Sequence, residues 1–130
     1  MIIDSSAIVA IMRGEPDAQV YVDAIVRAKT IYIPAPILLE LCMVLLNTKV
    51  PDGLNRVNQT LRELGVVSIP FTPQMAELAV AAFLRFGKGR GHKAQLNFAD
   101  CMSYATAKVE AMPLLFKGED FNHTDVVRAL

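Results

Sequence analysis

From Ile31 to Leu46 the chain reads Ile-Tyr-Ile-Pro-Ala-Pro-Ile-Leu-Leu-Glu-Leu-Cys-Met-Val-Leu-Leu, an apolar run with one charged side chain, Glu40. Carboxylates are almost never fully buried unless paired or bound to a metal. Glu40 is therefore either an exposed break in the run or faces a polar site built into the core. Pro36 suits the first position of a helix running to about Thr48, where its missing N–H costs nothing. Ile37, Leu41, Val44 and Leu45 then form one face at the i, i+4, i+7, i+8 spacing, and Leu38, Leu39, Cys42, Met43 and Leu46 cover the rest. A helix that is apolar all round is expected to be the central, buried one.

The remaining chain supplies a framework for that helix. Met1–Ile3 reads as a short buried strand that meets Asp4-Ser5-Ser6, where Ser5 or Ser6 can cap a helix carrying Ile8, Val9, Ile11 and Met12 until Gly14 stops it. Pro16 opens a second helix with Val20, Ala24 and Ile25 on one face, ending near Lys29. Ile31–Ile33 is a second strand. After the Glu40 helix, Asp52-Gly53 turns into a helix with Leu54, Val57 and Leu61, stopped by Gly65. Val66–Ile69 is a third strand, and Thr72-Pro73 starts a helix with Met75, Leu78, Ala79, Ala82 and Phe83 inward, ended by Gly87. Residues 87 to 93 form a flexible basic loop. Asn97 caps the next helix, with Asp100 in its first turn, Phe98, Cys101, Met102, Ala105 and Val109 on the core side, and Pro113 blocking its continuation. Leu114–Phe116 is a fourth strand and Asp125–Val127 a short fifth.

Strands alternating with helices predict an α/β, three-layer fold with a mostly parallel sheet of four to five strands. The 130 residues are expected to form a single domain over 1–130. A hydrophobic share of 53% is high enough to suggest apolar surface covered by another chain. No stretch is long and apolar enough to span a membrane, and Asp4 interrupts the N-terminus before a signal-peptide core can develop. Cys42 and Cys101 are too few and too far apart for a disulfide framework or a metal motif, and read as reduced, core residues of a cytoplasmic protein. A formal net charge of zero means that any case for a nucleic-acid partner must come from local clustering.

Parallel sheets place their sites at the carboxyl ends of strands. Asp4 ends the first strand and Asp120 follows the fourth; Glu40 lies on the helix after the second, and Asp100 opens the helix leading into the fourth. Two carboxylates at about 4 Å repel by about 4 kcal/mol at an effective dielectric near 20, so four together need help to stay charged. A divalent cation provides it, and oxygen-only ligands select Mg²⁺ or Mn²⁺ over zinc. Such an ion suits phosphodiester hydrolysis. Taken singly, Asp4 can instead be a helix cap, Asp100 a capping-box acid and Asp120 a turn former. It is their joint placement that points to a site.

Asp4 after an N-terminal strand, a helix containing Leu-Leu-Glu40-Leu, Leu96-Asn97-Phe98-Ala99-Asp100-Cys101 opening another, and Leu-Leu-Phe-Lys-Gly-Glu-Asp120-Phe occur in that order. The ordered set resembles the PIN-domain ribonucleases and, more narrowly, the VapC-type toxins of bacterial toxin–antitoxin modules, from end to end of the chain. The resemblance implies a metal-dependent endoribonuclease, a homodimer, and inhibition by a small antitoxin whose C-terminal segment wraps the toxin. It makes Asp4, Glu40 and Asp100 the metal-site acids, with Asp120 or its neighbour Glu119 as the fourth and Ser5 or Ser6 as a polar neighbour able to contact RNA. Related chains often carry Gly where this one has Ala99. A first helical turn needs no positive φ, so Ala is expected to fit.

Arg85, Lys88, Arg90 and Lys93 come without an intervening acid, directly ahead of Asp100. Lys88, Arg90 and Lys93 are candidates to hold RNA phosphates; a solvated surface loop is the alternative. His92 and His123 read as surface polar groups, Tyr104 and Phe121 as core. The sequence is also compatible with two other functions: an RNA- or protein-binding module that has kept the fold with weak catalysis, and a phosphotransfer enzyme with Asp4 as nucleophile. The second lacks the usual aspartate two residues on, where Ser6 stands.

Overall fold

A computed structural model describes residues 1–47 and 52–130; the expected helix end at Thr48 lies outside them. The elements run β1 (Ile2–Ile3), α1 (Ser5–Arg13), α2 (Ala18–Arg27), β2 (Ile31–Pro34), α3 (Ala35–Leu46), α4 (Gly53–Glu63), β3 (Val66–Ile69), α5 (Pro73–Phe86), α6 (Phe98–Val109) and β4 (Leu114–Leu115). All strand pairs are parallel, in the order β3-β2-β1-β4. Successive side chains of a strand point to opposite faces. Accordingly Ile3 and Leu115 join one core with Ile8, Ile25, Ile37 and Leu41, while Ile2 and Leu114 join a second with Phe86, Leu96, Tyr104 and Phe121. Helices thus cover both faces of the sheet, as the alternating pattern predicts.

The strand order reverses between β1 and β4, the kind of switch point at which open α/β sheets hold their ligands. Register fixes its geometry. Ile2 pairs with Leu114 and Ile3 with Leu115, and the Asp4 N–H donates to the Leu115 carbonyl at 2.9 Å, so Asp4 emerges beside the chain leaving β4.

Two expectations about helices are corrected. The buried central helix is α6, in which every residue from Ala99 to Ala107 is buried. Its small side chains, Ala99, Ser103, Ala105, Thr106 and Ala107, let neighbours approach all round. By contrast α3 buries only Ile37, Leu41 and Leu45 and leaves Leu39 61%, Met43 57% and Leu46 57% exposed. Hydropathy measures what a helix can bury, and packing also depends on side-chain bulk. Phe98, expected on the core side, is 80% exposed at the first position of α6, ahead of the turns that sink between the two cores.

The C-terminal segment forms no fifth strand: Asp125–Val127 is irregular, and only a single parallel bridge pairs Arg128 with Leu114. Asp125 is drawn instead toward the helices, accepting from the Tyr104 hydroxyl at 2.5 Å with Arg85 and Lys108 each 3.6 Å away. The basic loop is also better anchored than expected. Gly87 and Leu96 form a bridge, the Lys88 N–H donates to Leu96 O, and the Arg90 guanidinium lies 5.0 Å above the Phe83 ring. Gly87 is needed there for space: a Cβ would come 2.3 Å from the Phe83 carbonyl oxygen and 2.5 Å from its ring.

Candidate active site

Asp4 is buried at the end of β1 and is itself the N-cap of α1, in place of the serines expected in that role. Its Oδ2 accepts from the Ser6 N–H at 3.0 Å and the Ser6 hydroxyl at 2.6 Å, and its Oδ1 accepts from the Ser103 hydroxyl at 2.6 Å. Ser6 Oγ in turn accepts from the Lys117 N–H at 3.0 Å, which ties it to the segment leading to Asp120. Ser5 donates to Glu40 Oε2 at 2.7 Å. Both serine hydroxyls expected near RNA are therefore engaged with acids of the chain. Ser103 lies outside the sequence motifs, and its signal was a hydroxyl one helical turn after Asp100.

Glu40 proves to face a polar site. It is half-buried on α3, and burial, with the charge of Asp4, raises its proton affinity against the opposing Ser5 bond. Asp100 stands at the third position of α6 and completes a reciprocal cap: its Oδ2 accepts from the Asn97 N–H at 2.7 Å, while Asn97 Oδ1 accepts from the Asp100 N–H at 2.9 Å. Burial, opposed by that bond and reinforced by the charges of Asp4, Asp120 and Glu40, pushes the Asp100 carboxyl up to about 7. Ala99 adopts an ordinary helical conformation, with no positive φ.

Asp120 is exposed and its charge is felt at Asp100, whereas the adjacent Glu119 carboxylate accepts from the Asn122 amide. Lys117 spends its ammonium on Glu15 and Asp17, at 2.5 and 2.6 Å. Among the described residues no ion pair reaches Asp4, Glu40, Asp100 or Asp120. The charges of Asp4, Glu40 and Asp120 thus all act on Asp100 at the β1/β4 switch point, with no cation paired to any of the four among the described residues.

Among the described residues no group of three or more acidic, histidine or cysteine side chains is gathered closely enough to hold a metal ion by itself. The arrangement is an open one. Asp100 Oδ1 and Glu40 Oε1 make no hydrogen bond among the described residues, and no buried side-chain oxygen there lacks a partner, so both oxygens reach solvent. Mg²⁺ characteristically takes one or two carboxylates and completes its shell with water and substrate phosphate, which fits an open, oxygen-only, anionic mouth.

The other candidates fall outside this cluster. Lys88, Arg90 and Lys93 are exposed on the anchored loop that ends at Asn97. Arg85 is paired with Asp125 and lies 4.5 Å above the Phe86 ring. His92 is held more firmly than a surface group, its ring stacked edge-to-face on Phe86 with centroids 4.9 Å apart and its Nδ1 accepting from the Ala94 N–H; His123 is exposed. Cys101, Tyr104 and Phe121 are buried, and Cys42 is partly so.

The family model of the PIN domain matches residues 1–127. The chain belongs to the PIN-domain family. Within it, this PIN domain is 45% identical to Ribonuclease VapC28 of Mycobacterium tuberculosis over 130 residues, covering 100% of this chain and 98% of that one. It is 41% identical to Ribonuclease VapC36 of the same organism over 128 residues, covering 97% and 91% of the two. These full-length matches place it among the VapC ribonucleases. Solved structures carry the same fold at lower identity. Mycobacterium tuberculosis VapC20, described as a sarcin-ricin loop cleaving toxin, superposes with a TM-score of 0.77 at 15% identity, over 97% of this chain and 95% of that one. A toxin–antitoxin complex from Klebsiella pneumoniae does so with a TM-score of 0.72 at 17% identity, over 99% and 97%. No helix among the described residues is long and apolar enough to cross a membrane.

Proposed function

We propose that this PIN domain, spanning residues 1–130, is a Mg²⁺- or Mn²⁺-dependent endoribonuclease and the toxin of a type II toxin–antitoxin pair, acting in the cytoplasm on single-stranded or loop RNA. The observation that carries the reading is geometric: at the β1/β4 switch point Ser103 of α6 ties Asp4 to the helix that presents Asp100, Ser5 beside Asp4 holds Glu40, and no ion pair among the described residues reaches these acids or Asp120. These four would hold the metal; of the adjacent pair, Asp120 is favoured because Glu119 is engaged by Asn122. When bound, a divalent ion neutralises charge on the phosphodiester and makes water more acidic.

The chain's own residues prepare that chemistry. Ser5, Ser6 and Ser103 fix Glu40 and Asp4, and the Asn97 cap fixes one oxygen of Asp100 while leaving the other to solvent. The N-terminus of α6 favours an anion at Asp100. Lys88, Arg90 and Lys93 would take RNA phosphates on the approach to the acids. Two separate apolar faces support protein partners. One is the Leu39, Met43 and Leu46 stripe of α3; the other is an open groove of about 470 Å³ between α5 and α6 that includes Val80, Phe83 and Phe98. A second copy of the chain and an antitoxin segment are the proposed occupants.

The test is cleavage of a structured RNA by the purified chain with Mg²⁺, with Mn²⁺ and with EDTA, beside Asp100→Asn. Metal-dependent cleavage lost in the variant supports the reading. RNA binding without cleavage would return the chain to a binding-only module, and equal cleavage by Asp100→Asn would remove the site.

A further inference from the structure

Ser103 is fully buried in the middle of α6, where a hydroxyl is costly unless it is hydrogen-bonded. The ordinary solution for such a residue is a bond back to the carbonyl four residues earlier, and Thr106 on the same helix adopts it, donating to the Met102 carbonyl at 2.9 Å. Ser103 instead donates across the molecule to Asp4 Oδ1 at 2.6 Å, a partner 99 positions away in sequence. It stands three residues after Asp100, a spacing that puts both side chains on one face of α6. The helix that presents Asp100 therefore also grips Asp4.

We propose that Ser103 is a positioning residue of the acid cluster, setting the orientation of the Asp4 carboxylate relative to Asp100 so that the two can share a divalent cation. This rests on the metal reading above. Asp4 has two separate restraints: Ser6 holds Oδ2 from its own helix, and Ser103 holds Oδ1 from the neighbouring one. Only the second links the two acids directly through α6. Alanine would fill nearly the same volume and favours helix, so the helix itself has no use for this hydroxyl. Outer partners that orient ligating groups typically account for about 10- to 100-fold in metal affinity.

The experiment is Mn²⁺ binding, followed by calorimetry or by the loss of the free-ion EPR signal, on the parent, Ser103→Ala, Ser103→Cys, Thr106→Ala and Asp4→Asn, with melting curves in EDTA for each. Ser103→Ala is expected to weaken Mn²⁺ binding by about 10- to 100-fold while keeping a cooperative melt. Ser103→Cys, a weaker donor of similar size, should fall between it and the parent, and Thr106→Ala should bind as the parent does. If Asp4→Asn loses Mn²⁺ but Ser103→Ala binds like the parent, the positioning role is wrong and the metal site stands. A parent that takes up no Mn²⁺ overturns both. An equal loss in Thr106→Ala would show general softening of α6 and overturn the specific role. Should Ser103→Ala fail to fold, Ser103→Cys decides alone, and parent-like affinity in it counts against the proposal.

Discussion

Replacing Asp100 by Asn isolates the electrostatic cost of the cluster with little change in shape, because the amide oxygen can still accept from the Asn97 N–H. Burial and the charges of Asp4, Asp120 and Glu40 push the Asp100 carboxyl from an ordinary 3.8 up to about 7. Between those values the folded chain holds a proton that the unfolded chain has released. Stability therefore falls as pH rises through this window, and the loss is complete above about pH 7. A rise from 3.8 to about 7, at about 1.4 kcal/mol for each tenfold change in proton affinity, sets the loss on the order of 4 kcal/mol. Asp17 and Asp125, both lowered by their partners, contribute an opposite slope at more acid pH, so the informative quantity is the difference between parent and variant. Urea denaturation in EDTA from pH 4.5 to 8.5 should show Asp100→Asn close to the parent at the acid end and more stable by a few kcal/mol at the alkaline end. Mn²⁺ should narrow the gap by stabilising the parent. A difference that does not change with pH would refute the charge-coupling argument.

Three further outcomes follow from particular contacts. Alanine at Lys88, Arg90 and Lys93 together should weaken RNA binding and lower its salt slope by up to about three charges' worth, with Mn²⁺ affinity unchanged; an unaltered slope in a salt titration would make this a plain surface loop. Gly87→Ala should cost about 1–3 kcal/mol in urea denaturation, because its Cβ would strike the Phe83 carbonyl and ring. Ala111→Gly should add about 1 kcal/mol, since Ala111 closes α6 at φ 50°, in the left-handed region that glycine enters freely; thermal melting would read this as a rise of roughly 3–5 °C.

Much of this was legible before the structure because strand ends and helix starts carry strong local signals. Asp4 after Ile2-Ile3, Asn97 ahead of Asp100 and Thr72-Pro73 all behave as their residue types dictate. The competing roles for single acids are compatible with the proposed site: Asp4 caps α1 and Asp100 completes a capping box, and those duties hold both carboxylates in place. What stayed hidden depends on packing at a distance. Periodicity made α3 the central helix because it counts hydropathy, and α6 takes that place because its side chains are small. Ser103 carried no motif, since its partner lies at the other end of the chain. The tail after β4 has strand-forming residues, but Asp125 is drawn to Tyr104, Arg85 and Lys108, and one bridge at Arg128 is what remains.

The central claim is that carboxylates holding a metal, with no contribution from a histidine pair, run the hydrolysis. A ribonuclease that uses the RNA 2′-hydroxyl as nucleophile needs a general base and acid and leaves a cyclic phosphate. Here His92 is packed edge-on to Phe86 with Nδ1 already accepting from Ala94, and His123 is an exposed side chain on the turn after Asn122. End-group analysis of one cleaved oligonucleotide, with Mg²⁺ and again with EDTA, tests the claim most directly. A 5′-phosphate and a 3′-hydroxyl with Mg²⁺, and intact RNA in EDTA, are the predicted result; a 2′,3′-cyclic phosphate formed in EDTA would contradict it.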